Sequence, residues 1–224
     1  MIASMMIVGT IVLFYIMSIV YKRFTYPLLL PILSTTVLIV LILIISKTPY
    51  DSYMSGGKWI NELLGPAVVS MAYPLYIHKE KIYKYKFPII LSVLSALFSG
   101  IISIMILSKL LSFEEHILLS LLPKSITSPV AIPISETIGG IPTLTAVFVI
   151  LAGLVGAILG PSIFKVCRID KAISRGISMG SASHGIGVSK LGEYGEETLT
   201  MGSVSMTLSA IFGSFIFPLI ALLI

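Results

Sequence analysis

The chain has 224 residues, 56% hydrophobic and only 11% charged, with 15 Lys and Arg against 10 Asp and Glu, and a mean hydropathy of +1.05. Soluble domains carry roughly 25% charged residues, and one of this size could not keep so much apolar surface from water. That excludes a soluble domain and points to an all-α, polytopic transmembrane bundle; the net charge of +5 then reads as basic cytoplasmic loops rather than a nucleic-acid surface.

In chain order, a spanning helix needs about 20 mostly apolar residues. Ile2–Val20 and Leu28–Ser46 meet that length, and the first is read as a retained span rather than a signal peptide, since it has no basic leader and no small-residue cleavage site. Next comes Leu63–Ile77, apolar but interrupted by Gly65-Pro66 and Pro74, and expected to be a kinked crossing. Pro88–Leu107 is a clean span. Ile117–Gly140 is broken by Pro123, Pro129, Pro133 and the Gly139-Gly140 pair. Pro142–Phe164 is clean, and Ala172–Leu191 is again broken, by Gly176, Gly180, Gly185, Gly187 and the following Gly192. Thr198–Ile224 is the last span. Pro27, Pro88 and Pro142 stand at span starts, where a missing N–H does no harm. The whole is read as one integral membrane domain over residues 1–224, multi-pass in the plasma membrane, with peripheral spans to about residue 60 and a broken-helix core from 63 to 224.

Loop charge orients these spans. Lys22 and Arg23, the His78–Lys86 cluster and the Lys165–Arg175 cluster should face the cytoplasm. Lys109–His116, with Glu114 and Glu115, should face outward. This arrangement requires residues 123–140 to return to the side they left, as a re-entrant hairpin from outside. By the same logic residues 176–192 form a hairpin from inside. Each precedes a full span, so the two units would be an inverted repeat, and broken helices meeting near the midplane are a transporter architecture. Irregular backbone survives at that depth only when buried in protein or lining a wet cavity.

The breaks carry the chemistry. Pro123-Lys124-Ser125-Ile126-Thr127-Ser128-Pro129 sets a cation and three hydroxyls where backbone N–H groups are free, which suits a small carboxylate; the alternative is a Lys124 that snorkels to the interface. Glu136 could pair with Lys124, cap a helix or exchange protons, or sit solvated beside Gly139. In Gly180-Ser181-Ala182-Ser183-His184-Gly185-Ile186-Gly187, Ser181, Ser183 and His184 are polar groups among small residues. His184 titrates near neutral pH and is a proton-coupling candidate, or else a packing histidine bonded to a carbonyl, with Glu193 near enough to test. Gly156 and Gly160 form a helix-packing face, serving the fold or a homodimer. Tyr76, Tyr83, Tyr85 and Trp59 read as interfacial aromatics. Cys167 is the lone cysteine, and His78, His116 and His184 are widely separated, so no metal and no cofactor are expected. No nucleophile–base pair is visible, so no enzyme is expected.

At these two segments the sequence resembles the LrgB/CidB family. The carriers of the resemblance are Leu121 to Gly160, with its Pro-Lys-Ser-Ile-Thr-Ser-Pro-Val-Ala and Gly-Gly-Ile-Pro-Thr-Leu-Thr-Ala runs, the Gly-Ser-Ala-Ser-His-Gly-Ile-Gly run at 180–187, and Leu-Leu-Gly-Pro-Ala at 63–67. The resemblance implies one of two roles. One is an antiholin-like regulator of murein hydrolase activity and lysis, acting with a small LrgA/CidA-type membrane partner. The other is a carrier of small monocarboxylates such as glycolate, glycerate, pyruvate or lactate; the family's plastid relative is a glycolate/glycerate transporter, and its bacterial systems are linked to pyruvate uptake.

Overall fold

The computed structural model describes residues 2–24, 26, 29–70 and 72–224. The described residues form helices and no strands, and the chain divides into two compact units, Met1–Ala67 and Val68–Ile224.

In the first unit, α1 (Ile2–Phe24) packs against α2 (Pro31–Ile45) and α3 (Tyr50–Glu62). Gly56 lets α3 approach closely, since a Cβ there would stand 3.0 Å from Met6 Cβ. Thr10 Oγ1 and Tyr53 OH lie 3.1 Å apart across the same contact. The expected span 28–46 is a 15-residue helix, roughly 23 Å at the helical rise and shorter than the hydrocarbon core; Pro27 and Leu28 lie outside the described residues. The polar helix α3 was not expected.

The second unit begins within the broken 63–77 stretch. That stretch is two short helices, α4 (Leu64–Ser70) and α5 (Ala72–Ile77), on either side of Met71, which lies outside the described residues. The short α6 (Lys79–Lys84) carries the basic cluster into α7 (Lys86–Leu110). Then come α8 (Glu115–Leu121), a 3-10 turn at Leu122–Ser125, α9 (Ser128–Thr137) and α10 (Pro142–Val166). The chain ends in α11 (Ala172–Lys190), a 3-10 turn at Leu191–Tyr194 and α12 (Glu196–Ala221). Among the described residues α1, α7, α10 and α12 are long and apolar enough to cross a membrane.

Both broken segments fold back on themselves. In the first, the end of α9 returns to α8: the Ile141 N–H donates to Ser120 Oγ at 2.7 Å, and a Cβ on Gly140 would meet Ser120 N at 3.0 Å. Gly139 makes the turn at φ 89°, a conformation open to glycine. The returning strand of chain is pinned by a fully buried hydroxyl network. Thr145 Oγ1 lies 2.6 Å from Ser135 Oγ and 3.0 Å from Ser120 O, while Ser120 Oγ donates to His116 O at 2.6 Å.

In the second, the break falls at His184, with φ 39° and ψ −143°. The chain reverses there, so a Cβ on Gly187 would touch Met179 Cγ at 3.0 Å, eight residues back. The ends of this hairpin are tied by Arg175. Its Nε donates to Ile169 O at 2.6 Å, its Nη2 pairs with Asp170 at 3.2 Å, and the guanidinium lies 5.0 Å from the Tyr194 ring centre and 5.9 Å from that of Phe164.

Small residues make room for these hairpins. Gly176 and Gly180 pack on the α12 backbone, where a Cβ on Gly180 would stand 3.0 Å from the Gly202 carbonyl carbon. Gly156 and Gly160 of α10 are filled by Ser183 and Met179, so this Gly face serves packing within the chain.

Candidate functional site

The Leu122–Ser125 turn touches α7, α10, α11 and α12, so the tip of the first hairpin lies at the middle of the second unit. Beside it is a cavity of about 950 Å³. Its walls are one face of α7, the Lys124-Ser125 tip, and the first half of α11. Ser92 and Ser99 contribute hydroxyls from α7; Ser174, Ser178 and Ser181 do so from α11. Residues 168–171 form the mouth, where Arg168 and Lys171 outnumber Asp170.

Lys124 and Ser125 from one hairpin and Ser181 from the other therefore share one cavity. Lys124 is half-buried, and its ammonium makes no ion pair with the described residues. Ser181 Oγ is buried without a hydrogen-bond partner. A buried hydroxyl left unpaired costs about 1–3 kcal/mol, so both groups are placed to gain from a ligand.

The other residues singled out in the sequence lie around this cavity or away from it. Ser183 lines an adjoining apolar groove together with Lys124. Thr127 is buried just before α9, and Ser128 and Pro129 open that helix. His184 is buried at the hairpin tip, its Nε2 donates to Val149 O at 2.8 Å, and it lines neither space. Glu136 is exposed near the end of α9, at the opposite end of the hairpin from Lys124. Glu193 pairs with Lys190 rather than with His184.

The α7 wall was missed in the sequence. Ser92, Ala96, Ser99 and Gly100 recur at helical spacing, a small and polar stripe in an otherwise apolar span, and that periodicity was the available signal. Ser174 and Ser178, one turn apart on α11, carry the same signal.

Among the described residues, four helices able to cross a membrane and two folded-back segments beside a hydroxyl-bearing cavity define a multi-pass, all-α membrane protein. Within that class, the chain belongs to the LrgB-like family, whose profile matches residues 10–223. It is 50% identical to the uncharacterized protein YxaC of Bacillus subtilis, over 98% of this chain and 95% of that one. It is 37% identical to the holin-like protein CidB of Staphylococcus epidermidis and 35% identical to that of Staphylococcus aureus, in each case over 99% of this chain and 96% of the other. No solved structure matches the chain.

Proposed function

We propose that this protein is a secondary carrier of small monocarboxylates and not an enzyme. The observation that carries the reading is the unpaired Lys124 at a hairpin tip, in a hydroxyl-lined cavity with a basic mouth. A carboxylate there would pair with the ammonium and accept hydrogen bonds from Ser125 and Ser181. Helix α9 starts just beyond this tip, so the positive end of its dipole favours the same charge. In this reading the two folded-back segments are re-entrant from opposite sides, and the tip of the first with the leading arm of the second forms the midplane site of an inverted repeat. Glycolate, glycerate, lactate and pyruvate are of the right chemistry.

His184 is the group assigned to proton coupling. Its Nε2 is held by Val149 O and its Nδ1 has no partner among the described residues, leaving Nδ1 to gain and lose the proton. Glu136, exposed and remote from the tip, has no part in this.

The holin-like name of the staphylococcal relatives favours a second reading, a holin-like or antiholin-like membrane protein; the family resemblance would make it a regulator of murein hydrolases acting with a small LrgA/CidA-type membrane protein. The two readings separate in proteoliposomes. The carrier takes up labelled glycolate or lactate saturably, and Lys124→Ala abolishes uptake at unchanged protein level. Dye release that ignores Lys124→Ala, with no saturable uptake, would establish the second reading instead.

A further inference from the structure

Lys124 lines two spaces. Besides the polar cavity it borders a groove of about 310 Å³ between α10 and the second hairpin. Among the described residues lining this groove, Lys124 is the only charged one, and Ser178 and Ser183 carry the only hydroxyls. Its floor is Gly156, Gly160 and Met179. Its outer rim is Val155, Leu159 and Ile163, which recur every fourth residue along α10 and remain 53%, 49% and 50% exposed. On a membrane-spanning helix that exposure faces lipid. The groove is thus an apolar side opening from the bilayer to the ammonium of Lys124, and it adjoins the polar cavity through Ser178 and Ala182, which line both.

A charge in an apolar, lipid-facing groove is costly without a counter-charge. A small hydrophilic anion would satisfy Lys124 and leave the groove unfilled. An anion with one apolar chain satisfies both, with its carboxylate on Lys124 and its chain along the α10 rim. The volume suits a single chain rather than the paired chains of a bilayer lipid. We propose that this groove is a second binding site, for medium-chain monocarboxylates entering sideways from the membrane. The inference rests on the carrier reading in taking Lys124 as a carboxylate anchor.

The test uses the full chain reconstituted in vesicles with decanoic acid carrying a photoreactive diazirine on its chain, and a matching neutral alcohol probe. Cross-links from the acid should concentrate on residues 152–163 and Met179. They should fall roughly tenfold in Lys124→Gln, the loss expected from removing about 1.4 kcal/mol of binding. Leu159→Trp, a change at a lipid-facing position, should remove them by filling the groove. Cross-links spread alike over the lipid faces of α7, α10 and α12, and equal for acid and alcohol, would show partition into the bilayer only and overturn the proposal. Glycolate uptake in the same vesicles separates the two readings. Uptake with scattered cross-links sinks the groove site alone; concentrated cross-links without uptake sink the carrier alone.

Discussion

Two side chains show how the same residue type of signal, a polar group in an apolar run, resolves into different roles. Lys124 keeps an unpaired charge at a cavity wall, whereas His184 is committed to Val149 O. The backbone at His184, with φ 39°, is a conformation in which a Cβ is strained and glycine is not. His184→Gly should therefore be more stable than His184→Ala, by about 1 kcal/mol, although both lose the ring's hydrogen bond. Thermal unfolding of the two variants in detergent checks the order, and an Ala variant at least as stable as the Gly one would contradict the strain. Ser120 offers a second test, since it holds the Ile141 N–H and the His116 carbonyl. Ser120→Ala should cost about 1 kcal/mol by taking the acceptor from the partly buried Ile141 N–H; an unchanged unfolding midpoint would contradict the network.

At the scale of elements, the breaks were legible because prolines and glycines cluster there, whereas single ones are taken up inside helices: Pro161 lies within α10, Pro218 within α12, and Pro133, expected as a break, within α9. Pro123, Pro129 and the Gly139-Gly140 pair bound the first folded segment closely. The position of the second reversal was less legible. Five glycines between 176 and 192 marked the region, yet the turn falls on His184, and Gly176 and Gly180 instead let α11 lie against α12. A glycine that frees the backbone and a glycine that admits a neighbouring helix look alike in a sequence; only the neighbour distinguishes them. Gly180→Ala should accordingly destabilise by about 1–3 kcal/mol through overpacking, because the new Cβ would overlap the Gly202 carbonyl, which as backbone cannot turn aside. Arg175 ties the two ends of the second hairpin together. A lysine cannot reproduce its planar stacking or forked hydrogen bonds, so Arg175→Lys should speed amide exchange over residues 188–196. Exchange as slow as in the parent chain would show that Arg175 holds nothing there.

For the whole molecule, composition alone pointed to a helical membrane bundle, and the hydroxyl-lined wall from α7 emerged only when distant segments came together. Serines in one span, a lysine 32 residues after the first of them and serines on a third helix share a cavity that no local pattern announces. The central claim is that this cavity binds an anion on Lys124 and carries it across. Counterflow measures that directly. Vesicles loaded with unlabelled glycolate should take up external labelled glycolate faster than empty vesicles, because a carrier that returns loaded exchanges its cargo. Lys124→Gln should lose this acceleration at equal protein density. Labelled entry that is no faster into loaded vesicles and equal in Lys124→Gln would contradict a carrier centred on Lys124.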